Sequence, residues 1–293
     1  MKQYKNRIIV AMDFSESSIN ALRTAIRFSE MHQSKMVLLH VLEPPNIAQW
    51  FGRKKFQNMQ EELAEKKVQE LKVAFKDADL VLHAEEGNPS KVIVDFSFAI
   101  KAEMIVMGSS GWSSEGKKHT IGTHGIHIVR NAGCPVVTVK RINKNPQFKK
   151  ILIPVDMELG MKDIRGFLKD FKGKYQDHIE LITVLNDKHL HDPKAMDHAT
   201  IYMGKERLML MKQGFKNVDV EIIKSNDVVK AIDDYADSHE NEIDLIMMET
   251  HGRTGLNRMM SGSVTEAVLN HTGLPVFSLR PELKGQSFGS VGY

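Results

Sequence analysis

The chain has 293 residues, of which 42% are hydrophobic and 26% are charged, and its formal net charge is +3. That length leaves room for two domains, and that composition excludes a chain that is disordered over most of its length. The small net charge argues against a nucleic-acid partner, and because no run of about 18 apolar residues occurs, no membrane-spanning helix is predicted.

Short β-rich runs alternate with longer segments of helical period through the first half of the chain. The predicted strands lie near residues 7–12, 36–42, 79–84, 103–108 and 135–140. The predicted helices start at Ser15, an N-cap candidate, extend over 57–76, start again at Asn88-Pro89, and extend over 120–131. This alternation is typical of βαβ units and predicts a parallel sheet.

The second half of the chain repeats the first. Residues 150–156 resemble 7–13 at an offset of 143 (156 − 13), and residues 245–249 resemble 104–108 at an offset of 141 (249 − 108). Around the last strand the offset is 140 (275 − 135). Because the offset is nearly constant and the order is kept, the sequence predicts a duplicated domain.

The repeat sets the predicted organisation of the whole chain. The second copy carries predicted strands near residues 150–155, 179–185, 218–224, 243–248 and 275–279. We predict a first domain over 1–141, a linker over 142–147, a second domain over 148–281, and a loose tail over 282–293.

In each copy a glycine-bearing loop follows the fourth predicted strand and leads into a helix. Glycine lets the backbone approach an anion closely, and the first turn of a helix offers free N–H groups at the positive end of its dipole. The first loop carries Gly108, Gly111 and Gly122-Thr123, and the second carries Gly252 and Gly262-Ser263. Both loops indicate phosphate binding, although the hydroxyl in either loop can equally cap the helix that follows.

These features resemble the universal stress protein family, from about residue 5 to residue 281. The marks are an aspartate after the first strand, Asp13 and Asp156, and a G-x2-G-x9-G-[ST] loop after the fourth. The resemblance implies an α/β fold with two tandem Rossmann-like domains, each a five-stranded parallel sheet of order 3-2-1-4-5 with helices on both faces. It also implies ATP, with or without Mg²⁺, in the crevice between strands 1 and 4, where open α/β sheets bind ligands.

Carried over residue by residue, the family pattern implies a candidate nucleotide site in each domain. In domain 1 the implied contacts are Ala11, Asp13, Val41, Met107, Gly108, Gly111, Gly122, Thr123 and His124. In domain 2 they are Pro154, Asp156, Val184, Met248, Glu249, Gly252, Gly262, Ser263 and Val264. Asp13 can instead cap the helix that follows it, but its recurrence as Asp156 favours a binding role.

Each loop departs from the family pattern in a different way. The first has ten residues between its last two glycines (122 − 111 − 1) where the pattern has nine, and His124 replaces a small apolar residue. The second keeps nine (262 − 252 − 1), but Glu249 replaces the first glycine. A carboxylate beside phosphate in a poorly solvated cleft is unfavourable, so the second loop keeps its glycines but has a repulsive group at its edge.

Other kinds of chemistry have no support in the sequence. There is no G-x4-G-K-[ST] loop for P-loop chemistry and no G-x-G-x-x-G after the first strand for a dinucleotide. No nucleophile–base pair can be located, and the histidine clusters lack the further ligands of a zinc site, so no catalytic or metal-binding residue is assigned. The methionine-rich stretch 203–211, with Met209 and Met211, is interpreted as a helix face packed on the sheet.

Cysteine content and the last strands suggest the setting and the assembly of the protein. Cys134 is the only cysteine, so no intrachain disulfide can form, and a reducing, cytoplasmic location is expected. The fifth strands, near 136–140 and 276–279, are apolar edge candidates whose backbone groups need partners. We expect them to pair with each other inside one chain, and we expect whole chains to associate further into homo-oligomers.

The leading hypothesis from the sequence is a stress-response or regulatory protein that binds ATP in at least one domain. A first alternative is a protein-interaction module without nucleotide, in which both loops are vestigial. Glu249 and the ten-residue spacing favour this alternative, whereas the two aspartates and Gly262-Ser263-Val264 oppose it. A second alternative is a slow ATP hydrolase, for which the sequence offers no added motif.

Overall fold

The computed structural model describes residues 7–43, 53–109, 121–140, 146–170, 178–187, 191–240, 242–250 and 264–280. The chain divides into two compact units, Met1–Pro146 and Gln147–Tyr293, which we call unit 1 and unit 2. Each unit is an alternation of strands and helices.

Unit 1 alternates five strands with four helices over its described residues. The strands are β1 (Arg7–Ala11), β2 (Lys35–Leu42), β3 (Leu80–Glu86), β4 (Met104–Gly108) and β5 (Val136–Val139). The helices are α1 (Glu16–His32), α2 (Arg53–Ala74), α3 (Pro89–Ala99) and α4 (Thr123–Asn131). The strands are parallel and lie in the order β3-β2-β1-β4-β5.

Local signals explain where two helices of unit 1 begin. Ser15 is the N-cap of α1, and its side chain accepts a hydrogen bond from the backbone N–H of Ser18 at 3.3 Å. Asn88 caps α3 in the same way, and Pro89 occupies the first turn, where no backbone donor is needed. Both helix starts were predicted from the sequence and are confirmed.

The core of unit 1 covers both faces of its sheet. In β1 the consecutive residues Ile8, Ile9 and Val10 are all fully buried. Because successive side chains of a strand point to opposite faces, neither face of β1 is left to solvent. The sheet therefore lies between packed layers, as the resemblance implied.

Unit 2 has the same architecture over its described residues. Its strands are β6 (Lys150–Pro154), β7 (His178–Leu185), β8 (Asn217–Lys224), β9 (Leu245–Glu249) and β10 (Val276–Leu279). Its helices are α5 (Lys162–Asp170), α6 (Ala195–Gln213), α7 (Val228–Ser238) and α8 (Val264–His271). The strands are parallel and lie in the order β8-β7-β6-β9-β10.

The predicted fold class is confirmed. All ten predicted strands occur, with ends that differ by one or two residues. The domain boundaries near 141 and 148, and the pairing of the fifth strands, remain predictions. None of the helices in the described ranges is both long enough and apolar enough to cross a membrane.

The interpretation of the methionine-rich stretch is wrong in part. On α6, Met203 and Leu210 are fully buried, but Met209 and Met211 are 45% and 41% exposed. Positions 203 and 210 are about two turns apart and share one stripe, whereas 209 and 211 lie about 100° to either side of 210. Helical phase, and not methionine content, decides which of these side chains are packed.

Candidate functional site

The candidate site of unit 1 lies at the carboxyl ends of β1 and β4. These two strands are neighbours in the parallel sheet, and Val10 pairs with Val106. The strand that follows β1 in the chain, β2, lies on one side of this pair, and the strand that follows β4, β5, lies on the other side. The direction in which the chain adds strands to the sheet therefore reverses between β1 and β4. Such a reversal opens a crevice at the carboxyl edge of the sheet, and Asp13 and Gly108 both lie at that edge.

Asp13 is held in place by the start of α1. Its Oδ1 accepts hydrogen bonds from the backbone N–H of Ser15 at 2.9 Å and from the Ser15 hydroxyl at 2.6 Å. Asp13 therefore orients the residue that caps α1, and the expectation that Asp13 itself could be the cap is wrong. Both bonds use Oδ1, so Oδ2 remains available to a ligand in the described part of the site.

A close backbone contact forms the other wall of the crevice. A Cβ atom added at Gly108 would lie 2.7 Å from the carbonyl carbon of Ser17 and 2.8 Å from the carbonyl oxygen, distances that real Cβ atoms essentially never show. Only glycine fits between the end of β4 and the first turn of α1. This requirement is steric, and it holds whether or not a ligand is bound.

A cluster that the sequence prediction missed is centred on Phe14, the residue after Asp13, and also contains His40 and Lys67. The His40 ring meets the Phe14 ring edge-on, with centroids 5.0 Å apart, and the Lys67 ammonium lies 5.0 Å from the centre of the Phe14 ring. Phe14 has a φ of 63°, in the left-handed region that non-glycine residues seldom adopt. Strain of this kind concentrates at binding sites, so Phe14 strengthens the assignment of this crevice.

The imidazole of His40 secures the end of β1. Its Nδ1 lies 2.7 Å from the carbonyl oxygen of Met12, and in unit 2 the Thr183 hydroxyl donates to the carbonyl of Val155 at 2.9 Å. The internal repeat places His40 and Thr183 at corresponding positions, and this was the signal that could have identified His40. Burial lowers the pKa of His40 below its usual 6.5, and it outweighs the bond to Met12 and the charge of Asp13.

We expect His40 to make folding stability depend on pH below about 6.5. Because the folded-state pKa is lowered, the unfolded chain takes up the proton first, so stability present above the unfolded pKa is lost as the pH falls toward the folded pKa. His40→Thr, which copies Thr183, should lose less unfolding free energy between about pH 7.5 and about pH 5.5 than the parent chain in denaturant titrations. Equal losses in the two proteins would contradict this expectation.

The start of α4 completes the described part of the unit 1 site. Gly122 is the N-cap, and no side-chain hydrogen bond caps this helix. Thr123 is the first helical residue and is exposed, so the alternative in which its hydroxyl caps the helix is wrong. His124 Nδ1 lies 3.2 Å from the hydroxyl oxygen of Ser90. The first turn of α4 therefore keeps backbone N–H groups for an anion.

Unit 2 keeps this backbone frame at the carboxyl ends of β6 and β9. Asp156 follows β6 and is exposed, and its Oδ1 accepts a hydrogen bond from the backbone N–H of Glu158 at 2.9 Å. Glu249 ends β9, and its carbonyl oxygen accepts a hydrogen bond from the Thr265 hydroxyl of α8 at 3.0 Å. The strand ends of the two units therefore correspond, whereas the side chains at the edge of the crevice differ.

The carboxylate of Glu249 binds the start of α5. Its Oε1 accepts a hydrogen bond from the backbone N–H of Ile164 at 3.0 Å, and the N–H of Asp163 also binds the carboxylate. Burial raises the pKa of Glu249 and the charge of Asp163 adds to this, while the two N–H groups and Arg165 act against it. Glu249 thus occupies the place that an anion takes at a helix N-terminus.

A later helix start makes room for this side chain. Helix α1 begins three residues after Asp13 (16 − 13), whereas α5 begins six residues after Asp156 (162 − 156). The intervening turn contains Gly160, whose φ of 77° suits glycine. In unit 1 the backbone of Ser17 lies directly against Gly108, the counterpart of Glu249. One unit therefore accepts only glycine at this position, and the other accepts glutamate.

The other predicted site residues differ in burial. Val41, Met107 and Met248 are buried at the strand ends, where they can form an apolar wall. Those partly exposed are Ala11, Pro154, Val184 and Val264. Those outside the described residues are Gly111, Gly252, Gly262 and Ser263.

A polar network in unit 2 was also missed. His178, Glu180 and Asp219 place metal-ligating atoms within 4.8 Å of one another, and no other such group occurs in the described ranges. His178 Nε2 lies 2.8 Å from Asp219, while the two oxygens of Glu180 bind Lys150 at 2.8 Å and the Tyr235 hydroxyl at 2.9 Å. Because both Glu180 oxygens are already engaged, we interpret this group as an ion-pair network.

Comparison of sequences finds relatives for both units. A sequence model described as the universal stress protein family matches residues 5–140 and again 147–280. Universal stress protein Slr1230 of Synechocystis is 27% identical over 179 residues, which are 61% of this chain and 58% of that protein. Universal stress protein MJ0531 of Methanocaldococcus jannaschii is 27% identical over 143 residues, which are 47% of this chain and 84% of that protein.

Comparison of structures supports the fold. The crystal structure of a universal stress protein from Archaeoglobus fulgidus superposes with a TM-score of 0.73, covering 94% of this chain and 98% of that one. The two sequences are 21% identical. At that identity the likeness shows a shared fold, and the chemistry of each crevice must be argued from its own residues.

Proposed function

The chain belongs to the universal stress protein family, and on that basis we propose that unit 1 binds an adenine nucleotide, ATP, in the crevice between β1 and β4. The observation that carries the proposal is the start of α4, where the Gly122 cap leaves first-turn N–H groups for phosphate. Helix α4 follows β4, so its start lies at the same edge of the sheet as Asp13. Phosphate and sugar contacts are thus available on one side of the fold.

The residues of unit 1 fit such a ligand in a definite order. Oδ2 of Asp13 would accept a hydrogen bond at the nucleoside end, and Val41 and Met107 would supply apolar contact. Gly108 lets the first turn of α1 pack against the end of β4, and the N–H groups of α4 would hold the phosphates, with Mg²⁺ bound to the phosphates themselves. Lys67 adds a cation on the Asp13 side.

We propose a regulatory role for the bound nucleotide. A ligand shifts a conformational equilibrium only if it binds one state more tightly, and the loops at this crevice are the elements that ATP would bias. No catalytic residue is assigned, so hydrolysis is expected to be slow. A cytoplasmic setting, pairing of β5 with β10, and association of chains belong to the same proposal.

A second function, as a protein-interaction module, is favoured by one observation in unit 2. The carboxylate of Glu249 already binds the backbone N–H of Ile164, so this unit stabilises its own helix start without a ligand. The protein-interaction alternative is therefore better supported for unit 2 than for unit 1.

The first test is to denature the purified protein and identify any released nucleotide by chromatography and mass spectrometry. We expect the denatured protein to release adenine nucleotide, because the crevice of unit 1 carries the features described above. If none is released, calorimetric titration with ATP and Mg²⁺ decides the question. No heat in that titration would overturn the proposal and favour the interaction module.

Asp13→Ala is expected to weaken ATP binding at least about tenfold, because a hydrogen bond to a charged group contributes about 1.5–3 kcal/mol. Calorimetry measures the change. Asp13→Asn keeps an acceptor for Ser15 and so controls for damage to the start of α1. Asp156→Ala should leave the affinity unchanged. If the Asp156 change weakens binding and the Asp13 change does not, the nucleotide is in the other unit.

A further inference from the structure

We infer that Glu249 is a built-in anion that excludes nucleotide phosphate from unit 2, so that each chain binds one nucleotide, in unit 1. The inference rests on the proposed function and adds the number of sites and the residue that sets it. It concerns a single position of the repeat, which is Gly108 in unit 1 and Glu249 in unit 2.

The geometry of Glu249 is the first basis for the inference. Its carboxylate does not extend into solvent, because Oε1 accepts a hydrogen bond from the N–H of Ile164 at 3.0 Å. The residue is only partly exposed, at the end of a strand whose preceding four residues are buried. The carboxyl group is therefore held at the edge of the crevice by the start of α5.

The comparison of the two units is the second basis. Helix α5 starts later after its aspartate than α1 does, and Gly160 forms the added turn. In unit 1, by contrast, even a methyl group at Gly108 would meet the backbone of Ser17. The surroundings of Glu249 are therefore adapted to hold this side chain, and a random replacement of glycine in an unchanged crevice would have clashed.

The charges around Glu249 are the third basis. Asp163 lies beside it on α5, and Asp156 follows the neighbouring strand. Among the described residues, the cation that acts on Glu249 is Arg165, which is already paired with Glu206. Within the described part of the crevice, a triphosphate would therefore meet carboxylates whose charge Arg165 does not neutralise. In a poorly solvated cleft such repulsion is costly.

Calorimetric titration of the full chain with ATP and Mg²⁺ tests the inference. The parent chain should bind one ATP, and Glu249→Gly and Glu249→Gln should each bind two, with the second site tighter in the glycine variant. Glu242→Gln removes the same charge at an exposed residue of unit 2 and should still bind one. Adding Asp13→Ala should weaken the site of the parent chain at least about tenfold, and in the Glu249 variants it should weaken one site and leave the other unchanged.

The outcomes separate this inference from the proposed function. Two sites in the parent chain would overturn the inference and keep the proposed function, whereas no binding at all would overturn the proposed function itself. One site in both Glu249 variants would also overturn the inference. A second site in the glycine variant alone would overturn the charge argument and assign the exclusion to side-chain bulk. Glutamine keeps an acceptor for the N–H of Ile164. The Glu249→Gln variant therefore still tests the inference if the glycine variant does not fold.

Discussion

Gly108→Ala is expected to destabilise the protein by about 1–3 kcal/mol and to weaken ATP binding, because the new methyl group meets backbone and not a movable side chain. The contact is with Ser17, in the first turn of α1. Relief requires the helix start to shift, and Ser15 and Asp13 shift with it. Denaturant titration measures the loss of stability, and calorimetry measures the loss of affinity.

A second glycine in the chain gives the matched control for this change. Gly204 lies in α6, and a Cβ atom added there has nothing within 4 Å. Gly204→Ala should therefore stabilise the protein by about 0.5–1 kcal/mol, the usual gain from replacing glycine by alanine inside a helix. If Gly108→Ala is as well tolerated as Gly204→Ala, the close approach of α1 to β4 is not present in solution.

Glu180→Gln is expected to cost about 2–4 kcal/mol of unfolding free energy, because it leaves the charge of Lys150 in a mostly buried place without its main partner. The side chains of Lys150 and Glu180 are 12% and 8% exposed, and their charged atoms are 2.8 Å apart. Burial by itself would lower the pKa of Lys150, but the bonds to Glu180 and Glu242 outweigh it and raise that pKa.

Glu242→Gln is the control, since Glu242 binds the same ammonium at 3.2 Å but has a side chain that is 62% exposed. An exposed ion pair contributes about 0–1 kcal/mol, so this variant should be close to the parent chain in stability. Denaturant titrations of the two variants compare the unfolding free energy lost with a buried partner of Lys150 and the unfolding free energy lost with an exposed one. Similar losses for both would show that Glu180 is not buried as described.

The fold does not require the two carboxylates of this ion-pair network, since unit 1 has apolar residues at both of their positions. Strand pairing aligns Leu152 with Glu180 in unit 2 and Ile9 with Val37 in unit 1, so Val37 is the counterpart of Glu180. In the next strand Val81 is likewise the counterpart of Asp219. Burying an ion pair costs desolvation free energy, and a valine at the same position avoids that cost. The pair of Lys150 and Glu180 is therefore a feature of unit 2 that the shared fold does not require.

The sequence by itself determined the parts of this protein that depend on neighbouring residues. Apolar runs such as Ile8–Val10 form strands buried on both faces, and caps such as Ser15 and Asn88 start helices, because each acts within a few residues of itself. The repeat predicted the tandem architecture, and the resemblance to the universal stress protein family, which the aspartates and loop glycines carry, implied a site at the ends of strands 1 and 4.

Only the tertiary structure decided which side chains lie at each crevice and what they contact. The carboxylate of Glu249 meets the N–H of Ile164 across 85 positions of the chain, and Lys67 of α2 reaches the Phe14 ring. Such contacts depend on where a helix begins and how it packs, and a shift of three residues at the start of α5 changes a position that admits only glycine into one that holds glutamate. Side-chain position is set by packing between distant segments, which local patterns in the sequence do not encode.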